Sequence, residues 1–123
     1  MKQVLFILLV FISFQGFSQM KIKSVKLKKI NLEVMKTDLG KMTWVDANKA
    51  CEKLGEGWRL PTIDELKKIY SLKDKIGGFN NDYYWSITET EFTLALYFNF
   101  FNGTEKDSKE DSTGYVRAVR TLK

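Results

Sequence analysis

The chain contains no histidine. That absence removes the Ser-His-Asp and Cys-His nucleophile systems and every histidine metal site. There is one cysteine, Cys51, so no internal disulfide can close. A leftover cysteine in a secreted chain can pair between chains. At an apolar helix position, however, it reads as a small buried residue. Only one proline, Pro61, punctuates the 123 residues. The N-terminal apolar run, Val4 to Phe14, is shorter than the roughly 18 to 20 residues of a spanning helix. Lys2 precedes it, and the small residues Gly16 and Ser18 suit a cleavage before Gln19. That pattern is a secretory signal peptide over residues 1–18 rather than a membrane anchor. No cysteine follows the run, so lipid attachment there is not available. The protein is therefore expected to be periplasmic or extracellular, with no transmembrane segment after cleavage.

Acids are absent from residues 21–29, where Lys21, Lys23, Lys26, Lys28 and Lys29 fall. Losing Lys2 takes the formal net charge from +5 to +4. The five lysines more than account for that excess, so the rest of the chain is close to neutral. A lysine-rich arm or strand, residues 19–29, thus precedes a single domain over residues 30–123. The lysines suit attraction to a polyanion, such as a sulfated glycan or an anionic surface. The plainer and preferred reading is an edge strand whose lysines block edge-to-edge pairing. A nucleic-acid partner is not expected.

Along the body, Ile22, Val25, Leu27, Ile30, Leu32 and Val34 alternate with polar residues. Their phase slips near Lys28-Lys29, which predicts two short strands or a bulge. "TDLGK", 37 to 41, reads as a turn. Thr43 can cap a helix carrying Trp44, Ala47, Cys51 and Leu54 at helical spacing, and Gly55 can stop it. "GWRL" is a short extended link. Thr62 and Glu65 form a capping-box pair after Pro61, followed by Ile63, Leu66, Ile69 and Tyr70 on one face. "YYWSIT", 83 to 88, places Tyr83, Trp85 and Ile87 on one face of a strand. "LALYFNFF", 94 to 101, is apolar on both faces and predicts a strand covered on both sides. Residues 102–114 open with a hairpin-type Asn-Gly and continue as a charged, mobile loop. "YVRAVRTL", 115 to 122, reads as one closing strand, with Arg117 and Arg120 on opposite faces and one of them paired to an acid. Grouped helices and antiparallel-type strand spacing argue an α+β fold.

"MTWVDANKACEKLGEGWRLPTIDEL", "YWSITE", "FNFFNG" and "YVRAVR" together resemble a large group of secreted bacterial domains, the Fibrobacter-type major paralogous domains. The collagen-like adhesin C-terminal (Lcl) domain belongs to that group. The resemblance spans about residues 30 to 122. It implies a C-type-lectin-like fold: two helices packed on a small, twisted antiparallel sheet with long loops. A distant likeness to the formylglycine-generating enzyme fold is also present, without that enzyme's cysteines. Many relatives carry a second cysteine in the last strand, where this chain has Ala118. The "EPN" and "WND" motifs of animal C-type lectins are absent. The resemblance thus carries a fold and a secretion habit, but no catalytic or binding residue.

Each candidate site has a structural alternative. Trp58 and Arg59 could stack and bind a sugar. The capping signals around them favour a joint in which Trp58 packs inward and Arg59 pairs with a carboxylate. Asn80, Asn81, Asp82, Glu89 and Glu91 offer oxygen ligands for calcium or a sugar, against ordinary turn chemistry. No recognised motif supports calcium, and no cofactor is expected. Asp107, Glu110 and Asp111 could form a second calcium loop, but Lys106 and Lys109 interleave them and a solvated loop is the preferred reading. Tyr97, Asn99, Phe101 and Asn102 could line an aromatic-amide groove, against core and hairpin roles. The ligand-binding candidates are Asn80, Asp82, Tyr97, Asn99 and Asn102. The expected function is a non-enzymatic recognition module for a glycan or other surface polymer. The alternative is a structural or protein-interaction domain of the bacterial envelope.

Overall fold

A computed structural model describes residues 21–92 and 94–123. The expected signal peptide, residues 1–18, lies outside the described residues. Strand β1, Ser24–Leu27, is followed by a 3-10 turn over Lys28–Ile30 and a left-handed Asn31. Strand β2, Leu32–Met35, then returns antiparallel, with Leu27 opposite Leu32. The phase slip at Lys28-Lys29 is therefore a reversal between two short strands. β3 is Gly40–Thr43.

Helix α1, Trp44–Leu54, begins where the Thr43 hydroxyl accepts from the Asp46 N–H. It ends at Gly55, whose φ of +68° suits a residue without a Cβ. Helix α2, Ile63–Ser71, carries the reciprocal capping box: Glu65 N–H donates to Thr62 Oγ1 at 3.1 Å, and Thr62 N–H to Glu65 Oε1 at 2.8 Å. A one-turn helix α3, Lys73–Ile76, follows. Five strands complete the chain: β4, Tyr83–Glu89; β5, Ala95–Asn99; β6, Thr104–Ser108; β7, Thr113–Val116; and β8, Val119–Thr121.

The strands form a large sheet in the order β3-β7-β4-β5-β6 and a small one in the order β1-β2-β8. Neighbours run antiparallel except β4 and β7, which are parallel where Tyr84 meets Tyr115. Each face of the large sheet has its own core. On one, Leu66 and Ile69 of α2 pack with Tyr84, Phe98, Phe100 and the small sheet's Leu32, Val34 and Val119. On the other, Ala47 and Cys51 of α1 pack with Trp58, Leu60, Trp85, Ala95 and Tyr97. The two-sided apolar pattern of residues 94–101 is accounted for by this double cover.

The architecture is α+β, with three helices and two sheets rather than two helices on one small antiparallel sheet. Two local expectations are corrected. Residues 104–108 are not loop: they form the edge strand β6, paired from Thr104–Asn99 to Ser108–Ala95. "TEKDS" has no apolar residue, so the period-two signal has nothing to carry it. The run 115–122 is not one strand either. It leaves the large sheet after Val116 and joins the small one at Val119. Between them Arg117 turns its side chain into the core, and Ala118 offers its carbonyl to Met35 N–H.

Candidate functional site

The charged residues of the signature stretches hold joints. Arg59 donates from both Nη atoms to the two Glu65 oxygens, at 2.7 and 3.0 Å. Its backbone exchanges two hydrogen bonds with Val119, at 2.8 and 2.9 Å. Glu65 therefore serves the helix cap and the arginine together. Burial alone would raise its carboxyl, but Arg59 and the Thr62 N–H outweigh that and hold it below the ordinary value. Trp58 lies beneath the Arg120 guanidinium, 4.5 Å from ring centre to Cζ. Arg120 Nε donates to Glu33 Oε1 at 2.8 Å, and the Ser24 hydroxyl donates to the other Glu33 oxygen. The Arg120 hydrogen bond lowers the Glu33 carboxyl against the opposing effect of burial.

Arg117 is fully buried. Its Nε donates to Asp38 Oδ1 at 2.7 Å, its Nη1 to the carbonyls of Met35 and Gly77, and its Nη2 to that of Gly78. The guanidinium also sits 3.9 Å above the Phe79 ring centre. Asp38 Oδ2 accepts from Tyr84 Oη at 2.7 Å and from Asn80 Nδ2 at 2.9 Å. The network fixes residues 77–80, the approach to β4. Sequence reasoning missed Asp38, which it placed in a turn. A single acid in "TDLGK" carries no signal for a partner 79 residues away.

Of the five candidate ligand residues, Asp82, Asn99 and Asn102 come together where β4 begins and β5 ends. Tyr83 of β4 faces Asn99 of β5, and Phe100 N–H donates to the Asp82 carbonyl. Asn80 is engaged by Asp38. The Asp82 carboxylate accepts from Tyr83 N–H at 2.7 Å and pairs with Lys41 at 3.2 Å. Tyr97 is 8% exposed, and its ring stacks with Tyr83 at 4.1 Å and with Trp85 at 4.8 Å. Asn99 and Asn102 fix the turn after β5: Asn99 Oδ1 accepts from Phe101 N–H, and Asn102 Oδ1 from the N–H and hydroxyl of Thr104. Within that turn Phe101 stands 70% exposed. The structure thus brings Asp82, Asn99 and Asn102 to one rim, sets Asn80 behind it, and places Tyr97 in the core.

A second polar surface lies on the outer face of the small sheet. Lys26, Glu33 and Arg120 form one cross-strand row, as cation, anion and cation. With Glu56 and Lys123 they line a cleft of about 470 Å³. Of the five lysines of residues 21–29, Lys26 lies on β1 and lines the cleft, Lys21 and Lys23 precede β1, and Lys28 and Lys29 lie in the turn after it; none of them forms an ion pair among the described residues. Among the described residues no three His, Cys, Asp or Glu side chains are placed to hold a metal ion.

The profile of the Lcl C-terminal domain matches residues 23–120. The chain belongs to the Lcl C-terminal domain family. No curated relative matches it. No described helix is long and apolar enough to cross a membrane.

Proposed function

We propose that this domain is a secreted, non-enzymatic recognition module of C-type-lectin-like fold that binds a glycan or another surface polymer. One observation carries the reading: Arg59, Arg117 and Arg120 are all consumed, with Glu65, Asp38 and Glu33, in holding joints together. The polar chemistry left at the surface is amide, aromatic, lysine and scattered carboxylate, such as Glu52, Asp64, Asp74 and Asp107, with no histidine to act as a general base. Such groups bind and orient a ligand rather than transform it. Two capped helices beside the sheets, and the irregular run through residues 77–82, support the lectin-like assignment. A glycan array and a heparin column test the function. Folded protein retained on neither would overturn it. If the lysine face binds the polymer, retention falls as salt rises and as Lys21 to Lys29 are replaced by Gln.

A second reading, an interaction domain of the envelope, is favoured by β6, whose residues 104–107 are exposed on the outer edge of the large sheet. An open edge can accept a strand from a partner. Pull-down from envelope extracts that depends on β6, with no retained glycan, would favour this reading.

A further inference from the structure

We propose that the turn after β5 is a stacking site for a neutral pyranose, with the Phe101 ring as platform and the Asn99 and Asn102 side-chain NH2 groups as donors. This rests on the recognition-module reading and names a place and a ligand class for it.

Phe101 is a large apolar ring left 70% exposed between two anchored neighbours. Phe100 is fully buried, stacked on Phe79 at 4.7 Å, with its N–H bound to the Asp82 carbonyl. Its carbonyl accepts from Lys73 Nζ at 3.4 Å. On the far side Gly103 N–H donates to the Asn99 carbonyl at 2.8 Å. Gly103 has a φ of +73°, and a Cβ there would stand 2.8 Å from the Tyr70 ring. That position admits only glycine without displacement of Tyr70. Alternation along the chain then sends the intervening ring outward. The backbone gives Phe101 no route back into the core.

The amides set the ligand's polarity. Asn99 Oδ1 accepts from Phe101 N–H at 2.8 Å. Asn102 Oδ1 accepts from Thr104 N–H at 3.3 Å and from Thr104 Oγ1 at 2.7 Å. Each carbonyl oxygen is thereby engaged by the turn's own backbone, which leaves the NH2 group of the same amide as the donor for a ligand. Neither NH2 group donates to any acceptor among the described residues. A ring face flanked by fixed donors matches a sugar that offers axial C–H bonds to the ring and hydroxyl oxygens at its edge. Nearby charge is balanced, because Asp82 pairs with Lys41 across the rim. The Lys73 ammonium near the turn is drawn to the Phe100 carbonyl and the Tyr70 ring rather than left for an acidic ligand.

The test uses 15N-labelled protein titrated with cellotetraose, β-1,4-galactotetraose and a heparin tetrasaccharide. A neutral tetrasaccharide should shift the NH2 signals of Asn99 and Asn102 and the amides of residues 100–104. Phe101→Ala should weaken that binding on the order of tenfold, and Phe101→Trp should retain it. Asn99→Asp and Asn102→Asp keep the engaged oxygen and remove the donor, so each should weaken binding about threefold with little change in melting temperature. Neutral sugars that bind equally well to Phe101→Ala, or that leave these signals unmoved, would overturn the site. Heparin binding that moves only the lysine face would overturn it too, while leaving the recognition-module reading intact. Absence of binding by all three sugars and on a glycan array would remove both.

Discussion

Arg117 and Asp38 stand 79 residues apart in sequence and meet at 2.7 Å, the arginine fully buried and the aspartate 11% exposed. Removing one member of such a pair leaves the other buried without compensation, at a cost of about 3 to 5 kcal/mol. Asp38→Ala should therefore lose that much stability in urea denaturation, a large share of a small domain's total. Asp38→Asn keeps a carbonyl oxygen for Nε and should lose less. A midpoint unchanged in Asp38→Ala would show that the pair does not hold residues 77–80.

Glu65 joins two devices in one carboxylate. Glu65→Ala removes the reciprocal cap and frees Arg59, and should cost about 2 kcal/mol, with roughly half from the cap. Glu65→Gln keeps an oxygen for the Thr62 N–H and loses only the ion pair. Its loss should fall between that of the wild type and that of alanine, read as the order of three urea midpoints.

Acid should destabilise the domain through Glu33 and Glu65. Both are held below the ordinary value of 4.5, Glu33 chiefly by the Arg120 hydrogen bond, and Glu65 by Arg59 and Thr62 against burial. An acid whose folded value is depressed contributes stability that is fully present above its unfolded value. That contribution is lost as pH falls through the depressed one. Urea midpoints should therefore hold steady from neutrality to about pH 5 and decline below it. Arg120→Gln should flatten part of the decline, and an unaltered slope would exclude Glu33 as a contributor.

Cys51 is 1% exposed, and burial pushes its thiol up to about 12. The thiol is thus neutral and inaccessible in the native state. It should resist an aromatic disulfide reagent at pH 8 and react at once in urea. A dimer on a non-reducing gel would contradict its burial.

Ala118 lies fully buried in the same cluster as Cys51, at the position where the family resemblance places a second cysteine. Ala118→Cys should form a disulfide under oxidising conditions, seen as the loss of both thiols in denatured protein. The closed loop is long, so stabilisation of about 4 kcal/mol is expected from the chain-entropy view. Two titratable thiols after oxidation would place the side chains out of bonding range.

The elements with strong local grammar were legible in the sequence. Thr43 and Thr62 mark helix starts, Gly55 marks a stop, and the apolar alternation of residues 94–101 marks a strand covered on both faces. "GWRLPTIDEL" was legible as a joint because its caps lie within a few residues of one another. What escaped depends on long-range partners. Asp38 gains its meaning only from Arg117. The division of residues 115–122 between two sheets depends on where Arg117 is drawn. β6 has no apolar residue to announce a strand, only pairing to β5. At the candidate site, Asn99, Phe101 and Asn102 were legible as aromatic-amide chemistry. Which ring faces outward was not, since Tyr97 and Phe101 are both odd-numbered positions of one strand pattern. Only the turn after Asn99 separates them.

The small sheet joins β2, from the first third of the body, to β8 at residues 119–121. Leu32 and Val34 therefore lack their β8 partners, Thr121 and Val119, until the chain has been made that far. The β1–β2 hairpin can form early from local contacts, but its apolar face is sealed only when Val119 arrives. Closing so long a loop is entropically late and kinetically slow. During synthesis the domain thus stays open until β8 has emerged, and a chain cut before Val119 should stop short of its native state.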